Sequence, residues 1–267
     1  MSRYDIIRLD EISHNYDAKD NCTMKTVDFK HARGPDRLRV YAIGDVHGRL
    51  DLLQEMHRRI QAENEKSPPF DWVIVHLGDY VDRGPDSKGV LDLLVSAQKK
   101  THRMLAITGN HDIGFLEFLA TGAPNGMFAH NGGRQTALSY GVSIDFNDLG
   151  SVAAGRNALL DAVPPGHIEF LRGLKRSMIF GDFFFCHAEI RPSVDLDRQD
   201  PEDLVWIREQ FLGEPRLYPK VIIHGHTPVT DVEIRPNRVN LDTGAVFSGR
   251  LSAIAIDAEN KFLLEAP

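Results

Sequence analysis

Three times in its first 112 residues the chain repeats one pattern: a short apolar run stops at a glycine, and aspartate, asparagine or histidine follows at once. The runs are LRVYAI (38–43), WVIVHL (72–77) and RMLAIT (103–108). Behind them stand Gly44-Asp45-Val46-His47-Gly48, Gly78-Asp79-Tyr80-Val81-Asp82-Arg83-Gly84 and Gly109-Asn110-His111-Asp112. Short runs rich in β-branched and aromatic residues, bounded by glycine, read as buried strands. Two later runs, FFFC (183–186) and KVIIH (220–224), lead into Cys186-His187-Ala188 and His224-Gly225-His226-Thr227. Five strands therefore end in potential metal ligands.

Between the strands, LDLLQEMHRRI (50–60) and SKGVLDLLVSA (87–97) place apolar residues three and four apart, the spacing of a helix that covers a sheet. Strands alternating with helices predict an α/β layered fold. VEIRPNRVNLDTG (232–244) reads as a hairpin around Pro236 and Asn237, and LSAIAID (251–257) as one more strand. The expectation is thus a mixed sheet or a two-sheet sandwich flanked by helices. Residues 1–37 show no sustained periodicity and read as a loosely attached N-terminal extension of a domain over 38–267. Residues 113–175 hold glycine and proline breaks among helical patterns and read as a mostly helical insertion beside the strand ends.

With 42% hydrophobic and 26% charged residues, the chain has the composition of a soluble globular domain. A net charge of −7 and the absence of any Lys/Arg run argue against a nucleic-acid polymer as partner. Cys22 and Cys186 are too far apart in sequence for a CxxC ligand pair, and two cysteines make no disulfide framework. The first twenty residues carry charges every few positions, and no stretch has the roughly 18 apolar residues of a membrane span, so a cytoplasmic protein is expected.

In open α/β sheets ligands bind beyond the strand ends, so the polar sets should converge on one pocket. Aspartate, histidine and asparagine without thiolate suit Mn²⁺, Fe²⁺ or Zn²⁺. There are too many of them for one ion. Two ions about 3.5–4 Å apart form the usual clamp for in-line attack on a phosphoryl group.

Taken in order, GDVHG, GDYVDRG, GNHD, HA and HGHTP resemble the phosphoprotein phosphatase family, in its bacterial serine/threonine form, within the calcineurin-like metallophosphoesterases. The match runs from about residue 40 to residue 246. The resemblance implies a four-layer β-sandwich of mixed sheets with flanking helices. It also implies two divalent ions, Mn²⁺ foremost with Fe or Zn as alternatives. By position, Asp45 and His47 would hold the first ion, Asp79 would bridge, and Asn110, His187 and His226 would complete the second. His111 would protonate the leaving oxygen with Asp82 as its orienter, while Arg83, Arg208 and Asn110 would bind substrate.

The implied reaction is hydrolysis of phosphate monoesters, of phosphoserine and phosphothreonine or also phosphotyrosine in proteins, by a hydroxide bridging the ions. Asp112 stands where protein phosphatases of the family usually have glutamate. Related bacterial diadenosine tetraphosphate hydrolases often share the aspartate, so a symmetrical hydrolase of dinucleoside tetraphosphates is the alternative. A non-catalytic metal-binding scaffold would have lost a ligand or the acid pair, and every position here is filled. His76, His224 and Cys186 read as buried core residues, and Asp242-Thr243-Gly244 as structural support. His130-Asn131-Gly132-Gly133-Arg134 reads either as a substrate-facing loop or as a plain polar turn.

Overall fold

A computed structural model describes residues 26–267. The elements run β1 (Arg39–Ile43), α1 (Leu50–Lys66), β2 (Trp72–His76), α2 (Ser87–Lys100), β3 (Met104–Ala106) and α3 (Asn110–Thr121). Four further helices follow: α4 (Met127–His130), α5 (Gly133–Ser139), α6 (Leu149–Ala162) and α7 (Pro165–Arg172). The second half holds β4 (Ser177–Phe180), β5 (Phe183–Cys186), α8 (Asp203–Trp206), α9 (Glu209–Leu212), β6 (Val221–His224), β7 (Glu233–Arg235) and β8 (Arg238–Asn240). It closes with α10 (Ala245–Ser248), β9 (Leu251–Ile256) and β10 (Lys261–Ala266).

Two five-stranded sheets form, in the orders β10-β9-β1-β2-β3 and β4-β5-β6-β8-β7. Both are mixed: β1, β2 and β3 run parallel, as do β5, β6 and β8, while β9, β10, β4 and β7 pair antiparallel. The period-two geometry of a strand explains the layering. Val40 and Ala42 face the second sheet, where they meet Phe183, Phe185, Val221 and Ile223. Tyr41 and Ile43 face the other way, against Leu53, Met56, Val90 and Leu94 of α1 and α2. On the far side of the second sheet, Phe184, Cys186 and Ile222 pack on Leu204 and Phe211. Helices, sheet, sheet and short helices make the four layers. Each fully buried phenylalanine or isoleucine contributes roughly 1.5–3 kcal/mol, so the core between the sheets dominates their adhesion.

Strands absent from the sequence reading are β4 and β10, both at sheet edges. Ile179 and Leu263 are exposed there, so neither strand shows a continuous apolar run. Residues 26–37, expected to be loosely attached, lie against the second sheet instead. The Val27 amide donates to Tyr218 O, Phe29 rests edge-on against Phe183, and Ala32 is buried. The rest of the expected extension, residues 1–25 with Cys22, falls outside the described residues. Among the described residues no helix is long and apolar enough to cross a membrane.

Candidate metal centre

Every loop that carries a predicted ligand leaves the C-terminal end of a parallel strand: β1, β2 and β3 in one sheet, β5 and β6 in the other. The two sheets bring those ends together. Asp45, His47, Asp79, Asn110, His187 and His226 are all buried. Asp79 is common to two groups of potential ligands, one with His47 and His111 and one with His187 and His226. Asp45 joins through the backbone amide of His226, which donates to its Oδ2 at 3.1 Å.

Five of these loop residues, His47, Asp79, Asp82, Arg83 and His226, take left-handed backbone conformations, with φ between 44° and 71°. Such conformations cost of order 1–3 kcal/mol each for residues with a Cβ, and they mark places where the fold imposes a geometry. Close approach also dictates two glycines. A Cβ on Gly109 would sit on the Asp79 carboxylate, and one on Gly225 on that of Asp45.

Two imidazoles are fixed in one tautomer. Nδ1–H of His47 donates to Val81 O and that of His187 to Leu77 O, each at 2.8 Å. Their Nε2 lone pairs therefore point inward. His47 Nε2 lies 3.3 Å from Asp79 Oδ2 and has no hydrogen-bond partner although buried. His187 Nε2 lies 2.9 Å from Asn110 Oδ1 and 3.3 Å from Asp79 Oδ1, so acceptor faces acceptor. His226 Nδ1 is 2.9 Å from the same Asn110 oxygen. The Nε2 lone pairs of His47 and His187, turned on oxygen acceptors with no donor between, are what a cation would satisfy, and the donor set of imidazole, carboxylate and amide oxygen fits a divalent ion.

The electrostatics agree. Burial pushes the His47 imidazole down to about 3 and lowers His187 and His226 as well, which leaves them neutral and free to ligate. Asp45 is held well above the usual carboxylate range by burial and by the neighbouring charges of Asp242 and Asp79. Asp242 is raised to about 6, burial being the main cause. A packed set of carboxylates whose mutual repulsion disfavours ionisation is relieved by bound cations.

Beside this cluster, Nδ1–H of His111 donates to Asp82 Oδ2 at 2.7 Å. Burial lowers the His111 basicity, but the carboxylates of Asp79 and Asp82 outweigh it and raise the imidazole above its usual value. Arg83 Nη2 donates to His111 Nε2 at 2.9 Å, and Arg208 Nε donates to His226 Nε2 at 2.8 Å. Both predicted arginines thus reach the cluster.

Asp112 has a structural place that its position in the motif does not announce. Its carboxylate is buried beneath the loops and accepts the backbone amides of Asp79, Gly109 and Tyr80 at 2.9, 2.9 and 3.0 Å. It stands at the third position of α3, with Gly109 as the N-cap, and so caps the helix that presents Asn110 and His111. The residue braces the loops of the site and is itself fully buried.

His76 donates Nδ1–H to Leu105 O and meets His57, while His224 lies 3.6 Å from the buried Glu189, outside the two ligand groups. Of the glycine-rich loop, Gly132 O accepts the Arg83 amide at 3.1 Å, while His130, Asn131 and Arg134 are exposed. Thr136 and Ser87, which the sequence reading passed over, hydrogen-bond to Asp82. No motif marks either residue.

Residues 38–251 match the calcineurin-like phosphoesterase family. The chain belongs to that family. It is therefore a metallophosphoesterase, a hydrolase of a dinuclear metal-dependent family. It is 26% identical over 230 residues to a bis(5'-nucleosyl)-tetraphosphatase PrpE (asymmetrical) of Bacillus thuringiensis, covering 79% of this chain and 88% of that one. It is equally 26% identical, over 221 residues, to serine/threonine-protein phosphatase 2 of Escherichia coli, covering 80% and 90%. Among solved structures, a putative diadenosine tetraphosphatase superposes with a TM-score of 0.60 at 19% identity, over 89% of this chain and 99% of that one. That likeness bears out the sandwich fold.

Proposed function

We propose that this phosphoesterase hydrolyses phosphoserine and phosphothreonine side chains in proteins, with phosphotyrosine as a further substrate. The observation that supports this reading is the buried Asp82–His111 pair beside the ligand cluster. An alkoxide from serine is a poor leaving group and gains most from a positioned acid, whereas a nucleotide phosphate departs as a stable anion.

In this reading Asp45, His47 and Asp79 hold one ion, and Asp79, Asn110, His187 and His226 the other; Mn²⁺ suits the oxygen and imidazole donors. When bound, two divalent ions act as Lewis acids, lower the pKa of water toward neutrality and offset phosphoryl charge. Arg83 and Arg208 bind the phosphoryl oxygens, the former with a planar fork. Drawing Arg83 onto the phosphoryl group frees His111 Nε2 from their present contact. The protonated imidazole then gives its Nε2 proton to the leaving oxygen, while Asp82 keeps the ring oriented and its charge stabilised.

The second reading is a dinucleoside tetraphosphate hydrolase. Several relatives carry that name, and they are called asymmetrical, where the sequence reading took the symmetrical reaction as its alternative. Four phosphates divide three and one in an asymmetric cut and two and two in a symmetric cut. Chromatography of diadenosine tetraphosphate products therefore separates these outcomes, ATP with AMP against ADP alone. The deciding assay compares this turnover with phosphate release from a phosphoserine peptide, both with Mn²⁺, in wild type and His111→Asn. Peptide turnover that collapses in the variant supports the proposal. Efficient His111-dependent cleavage of the dinucleotide with a silent peptide transfers the chain to the second reading.

A further inference from the structure

Asp82 and Arg83 are consecutive residues in the left-handed region, with φ of 71° and 67°. Both backbone amides are tied to the segment between β3 and β4. The Arg83 amide donates to Gly132 O at 3.1 Å. The Asp82 amide donates to Thr136 Oγ1 at 2.7 Å and, more weakly, to Ser87 Oγ at 3.2 Å. Thr136 Oγ1 in turn donates to Asp82 Oδ1 at 2.8 Å. Its remaining lone pair faces Ser87 Oγ at 3.0 Å. Asp82, Ser87 and Thr136 are fully buried, so water has no room to replace any of these bonds.

The two oxygens of Asp82 are therefore divided: Oδ2 receives His111 Nδ1–H, and Oδ1 receives the threonine hydroxyl. A carboxylate held by one oxygen alone can rotate about its Cβ–Cγ bond. Held by both, it presents Oδ2 at one angle. We propose that Thr136 is a positioning residue of the hydrolytic reaction, which locks the Asp82 carboxylate so that His111 stays aimed at the leaving oxygen. The proposal rests on the reading of His111 as leaving-group acid. In that reaction the Nε2 proton passes to the ester oxygen as its bond to phosphorus breaks, the hydroxyl of water takes its place on phosphorus, and the proton that water gives up restores His111 for the next turnover. Thr136 exchanges nothing.

Thr136→Val is nearly isosteric and deletes only the hydroxyl, whereas Thr136→Ser keeps it. Both are compared with wild type on a phosphoserine peptide, whose leaving group needs a proton, and on para-nitrophenyl phosphate, whose phenolate leaves unaided. General acid catalysis contributes about 10²–10⁴-fold, so misaiming the acid should lower kcat on the peptide by roughly ten- to a hundredfold. On para-nitrophenyl phosphate the fall should stay within about threefold, KM should be unchanged on both, and Thr136→Ser should restore the peptide rate. A merely structural brace would lower both substrates together, and that result, or no change on either, overturns the proposal.

His111→Asn measured on the same pair separates two failures. If its loss is not larger on the peptide, or if wild type turns over neither monoester, the acid reading fails and takes the proposal with it. If His111→Asn discriminates between the substrates and Thr136→Val does not, only the role of Thr136 is refuted. Thermal melting and bound Mn²⁺ are measured on each variant, and Thr136→Ala carries the same comparison if the valine variant does not fold.

Discussion

Replacing Asp112 by alanine strips three buried backbone amides, those of Asp79, Tyr80 and Gly109, of their acceptor. Each unsatisfied buried donor costs about 1–3 kcal/mol, and partial relaxation brings the expected total to roughly 3–6 kcal/mol. Domains of this kind are stable by about 5–15 kcal/mol, so the variant should fold but lose much of its margin. Asp112→Asn is the graded test. An amide oxygen in the Oδ2 place still serves Asp79 and Gly109, but the amide nitrogen then faces the Tyr80 amide, donor against donor, for a loss of about 1–3 kcal/mol. Urea unfolding in the presence of chelator measures both, with the slope checked for constancy. Asp112→Glu keeps a carboxylate but adds a methylene at a fully buried position, which costs about 1–3 kcal/mol. Because the carboxylate is fully buried and taken up by backbone amides, that change should leave the ratio of peptide to dinucleotide turnover as it was. An alanine variant within about 1 kcal/mol of wild type would refute the bracing argument, and an altered substrate ratio in Asp112→Glu would restore the residue as a determinant of specificity.

Asp79 is shared by both ligand groups, so elemental analysis of Asp79→Asn should find loss of both ions, while His47→Ala retains one; equal content in the two variants contradicts the shared role. Gly225→Ala places a Cβ on the Asp45 carboxylate, and calorimetric titration with Mn²⁺ should show weakened binding, with unchanged affinity counting against close approach as the reason for the glycine. His57 and His76 meet Nε2 to Nε2 at 2.9 Å, and burial lowers them to about 4 and about 3, against 6.5 when unfolded. Both are neutral in the folded state, so their contribution is intact above pH 6.5 and is lost as pH falls from there toward 4, by up to about 1.4 kcal/mol per unit for each. In chelator, His76→Gln should lose stability less steeply over that window than wild type, and parallel curves would show the pair to be irrelevant.

The candidate ligands and the Asp82–His111 pair were legible because chemistry restricts such groups to a few residue types and strand ends restrict them to a few places. Asp45, His47 and Asp79 stand directly behind apolar runs and were found for that reason. Thr136 was not, since a buried hydroxyl that serves a carboxylate 54 residues away leaves no local pattern. Asp112 stands out in the motif comparison, but its place as a helix cap shows only in the geometry. In the fold, strands with both faces buried announced themselves. The edge strands β4 and β10, with one face wet, carried too weak a signal. The attachment of residues 26–37 depends on single contacts such as Phe29 on Phe183, which periodicity does not detect.

The strand order carries a consequence for synthesis. Val40 in β1 pairs with Ile256 in β9, and β10 then completes the same sheet at its edge, so one side of the earliest strand of the described chain is covered only by the last two. A ribosome releases β1, β2 and β3 long before their fourth and fifth companions exist. Until then the open side of β1 offers unpaired amides to any strand nearby. Residues 39–106 should therefore be the segment of the nascent chain that most needs a chaperone, and truncation ahead of Leu251 should yield an aggregating product although every proposed metal ligand has already been made.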